Sequence, residues 1–204
     1  MMIIVSTSCR YFEIGFEVLV EKINKSPHSF SKIVFCKNIS SLSEKILGQA
    51  KAVIVDYSEP KFKNLVSLLE YKSKFPSGFV ILIARETSFE HVIYNILINS
   101  VSNFTISCVD VVRKLTAFLE NFSPGTQSIV ITKNMHWYHI EKEKKLTKKE
   151  ILLLPYIISG KNNKEISRYV TIGSKTISHH RRSIYHKFQV NNLTGLFNVF
   201  ERYI

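Results

Sequence analysis

The sequence predicts an α/β domain with a parallel sheet, followed by a smaller all-α domain. In the first part of the chain, short and continuously apolar runs such as FVILIA alternate with segments at helical spacing. That alternation is typical of parallel strands covered by helices on both faces. From about residue 145 onward only helical patterns occur, and turn signals such as Ser159-Gly160 separate them.

Five apolar runs are predicted to be strands, and each is followed by a predicted helix. The strands are placed at Ile3–Val5, Ile33–Phe35, Ala52–Val55, Phe79–Ile83 and Asn103–Ile106. The helices are placed at Tyr11–Lys25, Leu42–Gln49, Phe62–Lys74, Phe89–Asn99 and Asp110–Phe122. Five such units predict an α/β doubly wound, flavodoxin-like domain. We place this domain at residues 1–123, a linker at 124–144 and the all-α domain at 145–204.

A helix with all its cations on one side is predicted near the end of the chain. On a helical wheel, Ile184 and Phe188 fall within about 20° of Ile177 and make an apolar packing stripe. The opposite side carries donors and no acid: Lys175, Ser178, His179, Arg182 and His186. With a short helix from Lys164 and the turn Thr171–Gly173 before it, this pattern predicts a helix-turn-helix suited to phosphates and base edges.

Capping signals mark the starts of the C-terminal helices. Thr147 with Glu150, and Asn162 with Glu165, have the spacing of capping boxes. The first of these helices is expected to have an apolar, inward-facing side formed by Ile151, Leu152, Leu154, Ile157 and Ile158. Pro155 lies deep inside it, where a proline costs about 3 kcal/mol and is expected to bend or break the helix.

The last helix is expected to start at an asparagine cap, Asn191 or Asn192, and to run to Tyr203. Its apolar residues are expected to divide between the domain core and a dimer contact, and the sequence leaves that division open. They are Leu193, Leu196, Phe197, Val199 and Phe200.

The segment from Leu146 to Val190 resembles the LuxR-type (NarL/FixJ) DNA-binding domain. The family's opening pattern is matched by Leu146, Thr147 and Glu150, its middle by Gly160 and Asn163–Ile166. Its end is matched by Lys175–Ile177, His180, Ile184 and Lys187–Phe188. The chain departs from the pattern at Pro155 and at Gly173, which replaces the usual serine cap.

The resemblance implies that the second helix of the motif contacts bases and phosphates. The expected DNA-binding residues are Lys164, Lys175, Thr176, Ser178, His179, Arg181, Arg182, His186 and Lys187. Arg182 is the expected guanine reader, because its fork fits O6 and N7 together. The lysines are expected to meet phosphates, and Thr176 to bond backbone or phosphate. His179 either donates to a base or fills space, whereas His180 is expected to be packed.

The N-terminal domain resembles the receiver domain of response regulators. Asp56 in AVIVDYSEP occupies the position of the phospho-accepting aspartate, and Gly15 matches a glycine of the first helix. The family also has an acidic pair after the first strand, a Thr or Ser ending the fourth and a Lys after the fifth. At those positions we identify Thr7 with Ser8, Ile83 and Ser107.

These replacements predict a degenerate receiver. Phosphoryl transfer to a carboxylate needs Mg²⁺ held by oxygen ligands, and two carboxylates are missing. Asp56 is therefore not expected to be phosphorylated efficiently, and in the simpler alternative it only ends a strand and caps a turn. Such a receiver can still dimerise or dock, and we expect the helices at Phe89–Asn99 and Asp110–Phe122 to provide the face.

Composition agrees with a nucleic-acid partner. The net charge is +12, and from Leu146 onward ten Lys/Arg stand against three Asp/Glu. This basic end favours a polyanion. A membrane surface is the alternative, but the helix-turn-helix makes DNA the better choice. No apolar run approaches the length of a membrane span, no signal peptide is expected, and Cys9, Cys36 and Cys108 are expected to be reduced in the cytoplasm.

No enzymatic motif was found. The chain has no nucleophile elbow, P-loop or Rossmann glycine run, and we predict neither an enzyme nor a cofactor. His136-x-x-His139 has no Cys or paired carboxylate at ligand spacing, so no metal is expected.

The prediction is therefore a sequence-specific transcriptional regulator that binds double-stranded DNA, located in the cytoplasm and on the nucleoid when bound. We expect a homodimer or a heterodimer with another LuxR-type regulator, and RNA polymerase is a further candidate partner. The alternative function is an auxiliary adaptor that acts only through such a heterodimer. A DNA-binding homodimer shifts operator DNA alone and loses affinity steeply with salt, whereas an adaptor requires its partner.

Overall fold

The computed structural model describes residues 2–23, 32–57, 62–85, 92–121 and 142–201. The described residues within 1–67, 75–86 and 102–132 make one compact unit, and those within 68–74, 87–101 and 133–204 make a second. The domain bounds predicted from the sequence stay a prediction, and most of the predicted linker lies outside the described residues.

A five-stranded parallel sheet forms the first part of the fold. Its strands are β1 (Met2–Ser6), β2 (Lys32–Cys36), β3 (Ala52–Tyr57), β4 (Phe79–Ala84) and β5 (Phe104–Ser107). The strand order is β2-β1-β3-β4-β5, and every pair is parallel. This order confirms the predicted doubly wound, receiver-like fold.

Five helices alternate with these strands: α1 (Arg10–Ile23), α2 (Glu44–Gln49), α3 (Phe62–Lys74), α4 (Val92–Val101) and α5 (Val111–Asn121). On one face of the sheet, Ile54 and Ile81 join Phe16 of α1 and Phe118 of α5 in a single apolar cluster. The alternate strand residues, such as Val53, are buried as well. A sheet buried on both faces explains why its strands are continuously apolar in the sequence.

The apolar residues of α2 and at the start of α5 are only partly covered. Leu42 precedes α2, which begins at Glu44, and Ile46 and Leu47 are only half-buried. Val112 is exposed, because it lies in the first turn of α5 and the helix reaches the core through the later residues Leu115, Phe118 and Leu119.

The predicted docking face on α4 is also not free. Its apolar residues Val92, Ile96, Leu97, Ile98 and Val101 are all buried. Of the two helices proposed for docking, only α5 therefore presents an exposed large apolar side chain among the described residues, that of Val112.

The C-terminal region is all-α, as predicted. Its helices are α6 (Lys148–Ile158), α7 (Asn163–Tyr169), α8 (Ser174–Lys187) and α9 (Leu193–Glu201). Both predicted capping boxes are present, at Thr147 and at Asn162, and Asn192 accepts a hydrogen bond from the Gly195 amide at 2.8 Å. The predicted end at Tyr203 lies outside the described residues.

Of the two expected effects of Pro155, bending or breaking α6, the break does not occur. The helix runs through it to Ile158, and the Ser159 amide donates to the Pro155 carbonyl at 3.1 Å. The ring removes one amide donor without ending the helical hydrogen bonds beyond it. Gly160 then ends the segment with φ of 81°, a left-handed conformation that favours glycine.

The helical core uses one side of each C-terminal helix. Ile166, Ile177, Ile184 and Phe188 are buried, and the rings of Phe188 and Phe200 meet edge to face at 5.1 Å. Leu152, which was predicted to face inward, is exposed, because it lies about 200° around α6 from the buried Leu154.

Burial shows which of the apolar residues of α9 belong to the domain core. Leu196 and Phe200 are buried in the core, whereas Leu193, Phe197 and Val199 are half-buried. None of the described helices is both long enough and apolar enough to cross a membrane.

The Phe118 ring should be a large contributor to stability. It stacks on Phe79 with the ring centroids 5.5 Å apart, and it is buried. We expect Phe118→Ala to lower the free energy of unfolding by about 3–5 kcal/mol through lost burial and the cavity that remains. Urea denaturation followed by circular dichroism measures the change. The control Val112→Ala, at an exposed site on the same helix, should stay within about 0.5 kcal/mol of wild type.

Candidate nucleic-acid interface

Four side chains on the outward side of α8 form what we call the basic face: Lys175, His179, Arg182 and His186. All four are exposed. They lie within an arc of about 60° on the helix, opposite Ile177 and Ile184, which are fully buried. The orientation of α8 predicted from the sequence is therefore confirmed.

The other polar residues predicted for this site border the basic face. Thr176 is exposed and Ser178 is half-buried, and Lys164, which is also exposed, lies on α7. His180 is half-buried, as expected for a residue at the edge of the packing stripe, and its ring meets that of His179 edge to face at 6.0 Å.

The start of α8 differs from the starts of α6 and α7. Gly173 at the cap position has an extended backbone, with φ of −66° and ψ of 148°, and no side chain to accept from the first amides. No acid stands in the first turn. Free amides and the positive end of the helix dipole both favour an anion at this position.

Lys187 is bound inside the domain. Its Nζ lies 2.6 Å from Oε2 of Glu150 and donates to the Lys145 carbonyl at 2.8 Å. The Oγ of Ser183 donates to the other carboxylate oxygen at 2.7 Å, and the Thr147 amide donates to Oε2 at 2.7 Å. Glu150, whose side chain is only 2% exposed, thus joins the start of α6 to the end of α8.

The hydrogen bonds to Glu150 keep it ionised. Burial alone would raise its pKa, but the donors Lys187, Thr147 and Ser183 outweigh burial and lower the pKa to about 2. Because the folded pKa is depressed, this group stabilises the fold fully above about pH 4.5, and that stability is lost as the pH falls toward 2.

Arg181 is also held by the domain. Its Nε donates to Oδ1 of Asn163 at 2.9 Å, and its Nη2 donates to the Lys161 carbonyl at 2.6 Å. On the wheel it lies about 40° from Ile177, which is the packed side of α8. These bonds tie α8 to the start of α7.

The roles of Glu150, Ser183, Lys187 and Arg181 were missed by the sequence reasoning. The helical wheel already indicated that two of these residues lie away from the basic face. Arg181 falls near the apolar stripe, and Lys187 falls about 80° from Ile177. Glu150 was recognised only as a capping residue, and its partners are more than thirty residues away in the sequence.

At the carboxyl edge of the sheet, Asp56 is half-buried and accepts a hydrogen bond from the Thr7 Oγ1 at 2.7 Å. β4 ends at Ala84 and not at Ile83, which lies opposite Asp56 in the sheet register. β5 ends at Ser107, whose side chain accepts from the Val109 amide. No group of three or more potential metal ligands occurs among the residues that the structure describes, and His136 and His139 lie outside them.

A receiver fold joined to a helix-turn-helix with an acid-free, exposed basic face defines the class of two-domain, DNA-binding regulatory proteins. Residues 144–200 match the family described as bacterial regulatory proteins, luxR family. Over these residues the chain is similar to LuxR-type DNA-binding domains, and a match to a regulatory family bears out the prediction that the chain is not an enzyme.

Two relatives and one solved structure are among the proteins that are similar to the chain. Transcriptional regulatory protein MctR of Rhizobium johnstonii is 22% identical over 160 residues, covering 76% of this chain and 72% of its own. Fimbriae Z protein of Escherichia coli K12 is 33% identical over 58 residues, which is 28% of each chain. The structure of RcsB from Salmonella enterica serovar Typhimurium, bound to promoter rprA with the phosphomimetic BeF3-, has a TM-score of 0.50, 20% identity and 98% coverage of both chains. This last likeness supports the fold.

Replacing Glu150 should destabilise the helical domain and change its response to pH. We expect Glu150→Gln to lower the free energy of unfolding at pH 7 by about 2–4 kcal/mol, because the Lys187 cation loses its buried partner. The wild-type protein should lose stability between about pH 4.5 and 2, and the variant should lose less over that range. Denaturation at several pH values measures both effects.

The matched control is Glu165→Gln, because Glu165 also completes a capping box but forms no ion pair with any residue that the structure describes. It should cost only about 1 kcal/mol. Equal losses in the two variants would mean that the Glu150–Lys187 ion pair adds nothing beyond capping.

Proposed function

We propose that the protein is a sequence-specific DNA-binding transcriptional regulator whose output does not depend on phosphorylation of Asp56. The observation that carries the proposal is the basic face of α8, exposed as a unit and opposite a fully buried stripe. A solvated helix face usually mixes charge signs, whereas this face carries donors and cations alone.

Within this site we assign different tasks to the side chains. Arg182 reads a guanine, because it is exposed on the basic face and its fork fits O6 and N7. Lys164 and Lys175 bind phosphates, which position the helix without choosing a sequence. Gly173 lets a phosphate reach the first amides of α8.

Arg181 and Lys187 act indirectly in this proposal. Their donors are used on Asn163, on backbone carbonyls and on Glu150. They hold α8 at a fixed angle to α6 and α7, so their loss would change DNA affinity through the fold of the domain.

The relatives support this function without defining its target. The match to luxR-family regulatory proteins covers the part of the chain that contains α6 to α9. A relative named as a transcriptional regulatory protein extends the similarity over 76% of the chain. Because the proposed partner is DNA, we also propose that the protein is located at the nucleoid when it is bound.

The proposed independence from phosphorylation rests on the chemistry around Asp56. The hydroxyl of Thr7 donates a hydrogen bond to one carboxylate oxygen of Asp56. Thr7 and Ser8 lie at the positions where receivers carry the acidic Mg²⁺ ligands. Hydroxyls without negative charge are weak ligands for a hard divalent cation that must also neutralise phosphoryl oxygens.

The central test is selection from a pool of random DNA duplexes with the full chain at fixed salt. We expect one motif to be enriched, and binding to it should fall with salt with a slope of about −0.9 per phosphate contact on a log–log scale. Enrichment only in the presence of a second LuxR-type regulator would instead establish the adaptor alternative. No enrichment under either condition would exclude both.

Arg182→Ala should cost about 1–3 kcal/mol of binding free energy and relax the preference at one base pair. Lys164→Ala is the matched comparison, because it should weaken all sequences alike and reduce the salt slope by about one phosphate contact. Fluorescence anisotropy on a panel of single-base variants of the selected motif separates the two patterns. An unchanged preference profile for Arg182→Ala would remove Arg182 as a base reader.

Asp56 should stay unmodified when the protein is incubated with a small phosphodonor and Mg²⁺. Intact-mass spectrometry measures the modification, and a receiver with its acidic pair serves as the positive control. Asp56→Asn should bind the selected DNA with the wild-type affinity. Stoichiometric, Mg²⁺-dependent labelling that disappears in Asp56→Asn would show that the site is a working phosphoacceptor.

A further inference from the structure

Histidine is concentrated in α8. Three of the seven histidines of the chain lie in this helix of 14 residues. Two of them, His179 and His186, are exposed and occupy two of the four positions of the basic face. Lys175 and Arg182 are charged throughout, whereas an imidazole side chain gains its proton between about pH 8 and pH 5. The charge of the basic face therefore changes from +2, for Lys175 and Arg182 alone, to +4 when both histidines are protonated.

The neighbours of these two histidines on α8 are basic. His179 lies four residues after Lys175 and three before Arg182, and His186 lies four residues after Arg182. Residues at these spacings are neighbours on a helix surface. The ring of the half-buried His180 also meets that of His179 edge to face at 6.0 Å. None of these neighbours supplies a negative charge that would hold a proton on either imidazole.

The acids of the elements around α8 have partners or positions of their own. Glu150 on α6 is bound by the donors described above, and Glu165 on α7 accepts from the amide of its own capping residue at 2.7 Å. Glu143, before α6, pairs with the next residue at 2.8 Å, and Glu201 is exposed at the end of α9. Tyrosine hydroxyls are neutral in the pH range of imidazole. The remaining charged groups on α6 and α7 are the cations Lys148, Lys149, Lys164 and Arg168.

The two histidines are therefore open to an external partner. Within the ranges that the structure describes, neither His179 nor His186 forms a hydrogen bond or an ion pair. A DNA phosphate would bring both a negative charge and acceptor oxygens to them, and an opposite charge nearby favours the protonated imidazole. In that form both ring nitrogens donate. A face that lies against DNA thus takes up protons that the free face lacks near neutral pH, and by reciprocity a lower pH strengthens the binding.

We infer that His179 and His186 bind DNA phosphates as imidazolium cations, so that the affinity of the protein for DNA rises as the pH falls through the range in which imidazole is protonated. The inference rests on the proposed DNA-binding function and adds a regulation of the same face. Lys175 and Arg182 supply the part of the affinity that does not depend on pH. Acidification then acts on the DNA contact directly, without a change at Asp56.

The fold is expected to stay intact over the pH range concerned. Hydrogen bonds hold the pKa of Glu150 at about 2, so the contribution of this group to stability is complete above about pH 4.5. A change in DNA affinity between pH 8 and pH 6 therefore comes from the interface, and the folding of the helical domain does not contribute to it.

Fluorescence anisotropy with a duplex that carries the selected motif, at fixed salt and at several pH values between about 5.5 and 8, tests the inference. We expect the wild-type affinity to rise on the order of tenfold from pH 8 to pH 6. The double variant His179→Gln with His186→Gln should bind weakly and respond little to pH. The double variant His179→Lys with His186→Lys should bind tightly and respond equally little, because its charge is fixed.

The salt dependence of binding gives a second measurement. Between pH 8 and pH 6 the log–log slope of the wild type should steepen by about 0.9 for each histidine that binds a phosphate. The matched control is His180→Gln, because His180 lies on the same helix but is half-buried beside the packing stripe. This control should keep the wild-type response to pH, and circular dichroism verifies that each variant is folded.

The possible outcomes separate this inference from the function on which it rests. A wild-type affinity that ignores pH, or an equal response in the wild type and the Gln double variant, would overturn the role of the two histidines and leave DNA binding standing. Loss of the response in His180→Gln alone would overturn the assignment to the basic face. A chain that binds no DNA at any of these pH values would remove the proposed function and, with it, this inference.

Discussion

The buried carboxylate of Glu150 is the constraint on which the DNA-binding part depends. It closes the capping box of α6 and, through Ser183 and Lys187, fixes the far half of α8. A buried charge is destabilising unless its oxygens are satisfied, so the helices must take the arrangement that brings these donors together. Apolar burial brings the helices into contact, whereas the ion pair fixes their rotation. That rotation keeps the basic face outward.

The two halves of the chain use charge in different ways. In the helical half, one carboxylate is paired and its pKa is lowered to about 2. In the sheet, Asp56 is bonded by a neutral hydroxyl of Thr7. The sheet itself is held by residues such as Ile54 and Ile81, which do not depend on the edge chemistry. The stability of the sheet therefore comes from side chains other than those at its carboxyl edge.

Periodicity in the sequence predicted the fold, because strands buried on both faces and helices buried on one face leave distinct patterns. The same wheel placed the basic face of α8 correctly. Side chains that pair over long sequence distances left no such pattern, so Lys187 was expected on phosphate and is found on Glu150. Leu152 and Val112 show a further limit: an apolar residue indicates burial only where the fold supplies something to cover it, and here both are exposed.

The glycine cap of α8 has a consequence for dynamics. The starts of α6 and α7 are closed by their own side chains, whereas α8 starts at Gly173 with no such acceptor. We therefore expect the amide protons in that first turn to exchange with solvent more readily than those at the starts of α6 and α7. A bound nucleic acid would supply the missing acceptor, so the helix would become fully ordered at its tip only in the complex. Recognition and local ordering would then be one event.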